Sequence, residues 1–243
     1  MMPVDLESLA AGYQHRPTSA AALTRARLAA GSACLVPGDV ALDIGGGRGH
    51  HAATWLESGA HPVVVDPSYG MSQAANQHDG VDTVRAEAQY LPFRNDTVKL
   101  TYFHLSLHYG DWKAALDEAV RVTVADGECW IWTMGEEHHR SSFLAKWFPS
   151  VGDIDTRRFP DPEEVAVYLD TICTSAAIEK DVESKVMAAS QWRSAVEARF
   201  ISTLQLIPDD EYRSGLVAYD QAYPDPNEKV EYLLTFDRIR AII

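Results

Sequence analysis

A short apolar run, Val40 to Ile44, leads into Asp43-Ile44-Gly45-Gly46-Gly47-Arg48-Gly49, and the amphipathic stretch His50 to Glu57 follows at once. Glycines packed this densely let the chain turn tightly and let a ligand approach the backbone without meeting a Cβ. A helix starting there also offers unpaired N–H groups to an electronegative ligand. The same alternation continues downstream. Pro62 to Val65, Thr83 to Ala86, Val98 to Phe103 and Cys129 to Met134 read as strands, with helical spacing at Ser68 to Asn76 and Trp112 to Val122. Strand and helix in turn at this interval predict a doubly wound α/β fold with a mostly parallel sheet, which binds its ligands at the carboxyl ends of the strands. Residues 19–30 precede the first strand as a helix. Beyond Gly135, residues 136–160 read as a loop or short helices, 161–171, 190–204 and 208–222 as helices, and 176–187 and 229–242 as two late strands.

The spacing of the turn narrows its ligand. A dinucleotide fingerprint, Gly-x-Gly-x-x-Gly, needs a third glycine at position 50, where this chain has His50, so nicotinamide and flavin cofactors fit poorly. A glycine turn can also be purely structural, and its context decides. Asp66 ends the second strand, 21 positions after Gly45, where a carboxylate can accept hydrogen bonds from both hydroxyls of a ribose. Its other reading is an N-cap for the next helix, a role open to Ser68 as well. Glu87-Ala88 follows the third strand, where a carboxylate and a backbone N–H can meet the edge of an adenine. Sites at three successive strand ends, with no cluster for a pyrophosphate, describe an adenosine.

These residues resemble the class I S-adenosylmethionine (SAM)-dependent methyltransferases, in particular the subgroup of quinone-biosynthesis and small-molecule methyltransferases. The matching segments are 40–49, Val63-Val64-Val65-Asp66-Pro67-Ser68 with Met71, 87–93, Leu107-His108-Tyr109 and 115–122. The resemblance covers roughly residues 10–134. It departs at Glu87, where aspartate is commoner, and at Ala125-Asp126-Gly127-Glu128, which replaces a Pro-Gly-Gly turn. It implies a Rossmann-like, mostly parallel seven-stranded sheet with helices on both faces and a small helical substrate cover. On that basis residues 1–243 form one methyltransferase domain: 10–34 close over the cofactor, 35–134 bind it, and 135–243 supply the cover and the last two strands. The implied cofactor contacts are Gly45, Gly46 and Gly47 against the methionine and ribose, and Asp43 at the loop and amino group. Asp66 and Pro67 would lie at the ribose, Met71, Glu87 and Ala88 at the adenine, and the His104 carbonyl near the amino group. Tyr13 and Arg16 belong to the closing segment, which also accounts for the Arg- and Ala-rich stretch 16–29 without a transit peptide.

Methyl transfer from a sulfonium needs a base only if the nucleophile arrives protonated; otherwise positioning and exclusion of water suffice. Tyr102, His104, His108 and Tyr109 stand at the end of the fourth strand, and His104 and His108 would share a face if the segment were helical. They are the candidate catalytic residues; the alternative is that they only shape the pocket. Tyr109, His138 and Trp147 are candidate substrate contacts, although Trp132, Phe143, Trp147, Phe148 and Phe159 also suit a core. No third ligand suits a metal at the histidine pair, so no metal is expected.

Composition sets the partners. With 21 Lys+Arg and 35 Asp+Glu the 243-residue chain carries a net charge of -14. The excess is spread over both halves, so the chain lacks the attraction that draws proteins to nucleic acid or anionic lipid. A small neutral or cationic acceptor suits it better. Cys34, Cys129 and Cys173 are far apart and read as reduced, buried thiols. With no apolar span and no secretory pattern at the start, the expectation is a cytoplasmic protein, monomer or homodimer, that turns SAM into S-adenosylhomocysteine. A SAM-binding fold with other chemistry is the main rival, ahead of a tRNA or protein methyltransferase.

Overall fold

The computed structural model describes residues 4–13 and 19–243, with side chains described for 4–10 and 19–243. The chain divides into two compact units. The sheet unit comprises Thr18–Thr133, Pro160–Lys180 and Asp237–Ile243; the helical unit comprises Met1–Pro17, Met134–Phe159 and Asp181–Phe236.

In chain order the elements are α1 (Leu6–Tyr13), α2 (Ala20–Ser32), β1 (Val40–Ile44), α3 (His50–Trp55), β2 (His61–Val65), α4 (Tyr69–Ala75), β3 (Asp82–Val84), β4 (Val98–His104), α5 (Trp112–Val122) and β5 (Thr123–Thr133). They continue with α6 (Glu136–Ser141), α7 (Phe143–Trp147), α8 (Ser150–Arg158), α9 (Pro162–Ile172), β6 (Ser175–Ala188), α10 (Ala189–Glu197), α11 (Asp209–Ala222) and β7 (Lys229–Ile242). The seven strands form one sheet in the order β3-β2-β1-β4-β5-β7-β6. Strands β1 to β5 pair in parallel and β7 runs antiparallel to β5. The expected seven-stranded, mostly parallel α/β sheet is therefore present.

Alternation along each strand sends side chains to opposite faces. Leu42, Ile44, Val63, Val65, Phe103, Ile131 and Ile239 pack with Leu116 and Ala119 of α5 and Val165 and Leu169 of α9. Helix α5 buries Ala115, Leu116, Ala119 and Val122, and Asp111 caps it by accepting the Lys113 N–H at 3.1 Å. On the other face Trp55 of α3 meets Tyr102 edge-on at 5.7 Å and donates its Nε1–H to the Ala26 carbonyl of α2 at 3.0 Å. That layer carries the polar side chains beneath the glycine turn.

The structure corrects several boundaries. β5 begins at Thr123, directly after α5, rather than at Cys129, and passes through Asp126 at φ 61. The helix expected over 190–204 stops at Glu197, because Arg199 adopts φ 48, and a separate 3-10 turn covers Ser202–Gln205. Residues 136–160 resolve into α6, α7 and α8. Cys34 is exposed and Cys173 half-buried; only Cys129 is the buried thiol expected of all three.

The helical unit has its own core of Trp147, Phe148, Val151, Trp192, Leu204 and Tyr219. Trp192 stacks on Tyr219 at 4.2 Å, and Phe143 on Tyr232 at 5.2 Å. A buried ion pair, Arg158 with Asp155, is completed by the Ser202 and Thr203 hydroxyls. No helix among the described residues is long and apolar enough to cross a membrane.

Candidate functional site

The glycine turn joins β1 to α3 at the carboxyl edge of the sheet. Gly45, Gly47 and Gly49 take φ of 68, 55 and 76, the left-handed region that a Cβ disfavours. At Gly45 the neighbourhood adds a second constraint: a Cβ would collide with the Ser106 side chain, whose hydroxyl donates to the Ile44 carbonyl at 2.6 Å. The Gly45 N–H in turn donates to the Val65 carbonyl at 2.7 Å, tying the turn to β2. Gly46 lies directly over Asp43, so that a Cβ there would come within 2.6 Å of Asp43 Oδ2. Sequence spacing shows a loop rich in glycine; the structure shows which neighbours each glycine admits.

Asp66, at the end of β2, is buried and already held by backbone. Its Oδ2 accepts the Gly47 N–H at 3.0 Å and its Oδ1 accepts the Ser68 N–H at 2.9 Å. Ser68 Oγ accepts the Met71 N–H at 3.2 Å and is the N-cap of α4. Of the two readings of Asp66, the capping role falls to Ser68. Met71 is buried with its Sδ 3.6 Å from where a Cβ of Gly47 would sit, so it walls the same turn. Pro67 is half-buried, its carbonyl accepting from the Arg85 guanidinium at 3.3 Å. Beyond β3, Glu87 is exposed and accepts from Gln89 Nε2 at 2.9 Å, with Ala88 half-buried beside it. The side chain of Tyr13, and Arg16 entirely, lie outside the described residues.

Asp43 behaves quite differently from Asp66. It is fully buried, and among the described residues neither carboxylate oxygen makes a hydrogen bond of good geometry, the Ala52 backbone N–H being the one donor turned toward it. Burial pushes its carboxyl up to about 7; the Ala52 backbone N–H pulls it down, and the Asp66 charge pushes it further up. Beside it on β4 stands Tyr102, paired with Asp43 in register, its buried hydroxyl without a partner among the described residues. Burial, helped by the Asp43 charge, holds the Tyr102 phenol well above its ordinary range.

His104 closes β4 and is half-buried. Leu105 then takes φ 55, and Leu107–Tyr109 form a 3-10 turn in which the His108 ring lies 4.1 Å from that of Tyr109. No helix carries both histidines, so the condition on which they would share a face is not met: the left-handed residue between strand and turn breaks the spacing. Tyr109 is exposed. The histidine nearest the acid is one the sequence did not single out, His51 on α3, with Nδ1 3.7 Å from Asp43 Oδ2 and its ring 4.6 Å from His104.

His138 and Trp147 belong to the helical unit. His138 is buried and its Nδ1 accepts the Thr235 N–H at 3.2 Å. Burial, with His138 alongside, pushes the neighbouring His139 imidazole down to about 4. Trp147 lies in the aromatic core, 5.2 Å edge-on to Tyr219. Among the described residues no three His, Cys, Asp or Glu side chains come together as a metal site.

Residues 42–131 match a family described as "Methyltransferase domain". Over 99 residues the chain is 35% identical to a demethylmenaquinone methyltransferase of Corynebacterium urealyticum; the match covers 39% of this chain and 41% of that protein. The chain thus spans under half the length of the curated relative it matches. Among solved structures, a protein of Anabaena variabilis described as a methyltransferase from an antibiotic biosynthesis pathway superposes with a TM-score of 0.69 at 20% identity, covering 91% of this chain and 97% of that one. Geranyl diphosphate C-methyltransferase of Streptomyces coelicolor gives 0.54 at 15% identity, covering 99% and 86%. Likenesses at these identities establish the fold.

Proposed function

We propose, from the premise that this chain belongs to the class I SAM-dependent methyltransferases through its domain at 42–131, that it methylates an oxygen, nitrogen or carbon of a small organic acceptor. The observation that carries the cofactor is the pair of unlike carboxylates flanking the glycine turn. Asp66, held in place by two backbone N–H groups, stands in this reading at the hydroxyls of a ribose. Asp43, buried with no well-formed hydrogen bond to either oxygen among the described residues, suits an ammonium brought down onto Gly45–Gly47. Met71 offers an apolar wall for an adenine, with Glu87 and Ala88 at its edge. When bound, SAM supplies a sulfonium-activated methyl group that a nucleophile takes by in-line displacement.

The chain's own part is to orient the partners and keep water away. In this reading His104, the last residue of β4, accepts a proton from an acceptor hydroxyl or amine, and His108 and Tyr109 follow it on the 3-10 turn. A carbon nucleophile or neutral amine needs no such base. Residues 135–243 supply the acceptor cover in this reading, with Trp147 and His138 among its side chains. The small-molecule class draws support from two relatives whose names denote action on a menaquinone precursor and on geranyl diphosphate. The net charge of -14 favours acceptors that are neutral or cationic over polyanionic RNA.

The test is calorimetric titration with SAM and S-adenosylhomocysteine, followed by release of S-adenosylhomocysteine across a panel of quinol, phenol, amine and prenyl acceptors. Binding with acceptor-dependent release is the expected result. Failure to bind either ligand overturns the assignment, and tight binding with no release from any acceptor class points to a SAM-binding fold with other chemistry.

A further inference from the structure

A carboxyl buried away from water with no cation bonded to it favours its neutral form, and it must lose its proton when a cation settles against it. Asp43 has almost no exposure of its own, its side chain being 1% accessible against 16% for His51. The groups facing it come from every packed element. β4 contributes Tyr102, and the end of β2 contributes Asp66. α2 contributes Arg25, buried over the Trp132 ring, whose charge acts on Tyr102. α3 contributes His51, the one base within 4 Å of the carboxylate among the described ion-pair contacts. Tyr102 cannot take the proton because its phenol already holds one. Asp66 is committed to two N–H donors. Arg25 is a permanent cation. His104 lies one ring further out, 4.6 Å from His51, and His51 also touches Tyr102 edge-on at 5.6 Å.

We propose that His51 is a positioning residue of the cofactor site, receiving the proton that Asp43 gives up when a cationic ligand group docks on the glycine turn. The inference rests on the cofactor reading above. In the step, the carboxyl O–H bond breaks and an N–H bond forms at His51, leaving a carboxylate and an imidazolium; no other bond changes. The 3.7 Å separation is an ion-pair distance rather than a hydrogen bond, so the transfer takes a small approach of the imidazole or one bridging water. The resulting imidazolium balances the buried carboxylate from α3. Two titratable groups this close together are coupled and titrate as a pair.

The test is proton counting. S-adenosylhomocysteine is titrated by calorimetry at pH 7 in buffers of different ionisation enthalpy, into the wild type, His51→Gln and His51→Asn, the last keeping a polar atom near the position of Nδ1. The wild type is expected to retain the proton and release close to none. Both variants are expected to release about half a proton, because a carboxyl with its midpoint near 7 is half protonated there. Their affinity should fall several-fold more steeply than the wild type's between pH 8.5 and 6, and equal it at pH 8.5. Equal proton counts in wild type and variants overturn the inference. So does a loss of binding in both variants that is as large at pH 8.5 as at pH 6, since that is the mark of a purely structural histidine. Failure of the wild type to bind S-adenosylhomocysteine removes the cofactor reading itself.

Discussion

Asp43→Asn should stabilise the cofactor-free protein above neutral pH. The Asp43 carboxyl sits at about 7 in the folded chain against an ordinary 3.8, with burial the main cause. The folded state therefore holds a proton that the unfolded chain has lost. Stability from this group is fully present below pH 3.8, drains away as pH rises and is gone above about 7. At about 1.4 kcal/mol for each pH unit, the loss is on the order of 4 kcal/mol. Asparagine never ionises, but its buried amide takes over the unpartnered position at about 1–3 kcal/mol. The net gain for the variant at pH 8 is about 1–3 kcal/mol, which in a chain of this size raises Tm by roughly 2–4 °C per kcal/mol. At pH 5, where Asp43 is mostly neutral, wild type and variant should be nearly equal. Urea and thermal melts at pH 5, 6, 7 and 8 read this directly, and saturating S-adenosylhomocysteine should reverse the order at pH 8. Parallel stability curves, or a variant less stable than the wild type at pH 8, would refute the reasoning.

Asp66→Ala removes a charged acceptor and should weaken S-adenosylhomocysteine by at least ~30-fold in calorimetry, taking about 2 kcal/mol for the lost bonds. Methylthioadenosine, which lacks the amino acid portion, separates the two acids: Asp66→Ala should weaken it as well, whereas Asp43→Asn should weaken S-adenosylhomocysteine alone. Gly45→Ala combines a left-handed φ of 68, at about 1–2 kcal/mol, with a collision at Ser106. Adding Ser106→Gly should recover the collision part only, as read by denaturant midpoints. Arg158→Ala strands Asp155 in the core of the helical unit and should destabilise by about 3–5 kcal/mol. Pairing Arg158→Met with Asp155→Leu should restore most of that, and a double mutant no better than the single would count against an uncompensated charge.

What could be read from the sequence follows the range of the forces that shape each piece. β1 and β2 are dense apolar runs ended by a local turn, so their positions and the Gly-x-Gly-x-Gly motif were legible. β5 was not, because its first six residues, Thr123 to Glu128, carry no apolar pattern; pairing of Thr123 with Val98 and of Glu128 with Leu100 on the neighbouring β4, with a register shift between, sets them. Helices α6, α7 and α8 are five to nine residues long, too short for a helical period to stand out, and the aromatic packing of their unit fixes them. His50 and His51 are adjacent, and only the rotation of α3 decides which meets the acid. His50 turns instead to the His78 ring at 5.1 Å, and burial, with His78 and Arg48, pushes it down.

The two acids explain why that rotation matters. Both end a strand of the same sheet, and their sequence settings look alike. Asp66 lies where the backbone turns two N–H groups inward, so its charge is satisfied before any ligand arrives. Asp43 lies one strand inward, under Gly46, where the backbone offers its oxygens far less. A carboxylate already held by backbone N–H groups suits hydroxyl donors. One left unsatisfied waits for a cation, and until that cation comes it weakens the fold. Environments that push two neighbouring acids apart in this way assign them different work. A base within reach of the unsatisfied one, which His51 provides, lets the charge appear in step with the ligand rather than ahead of it.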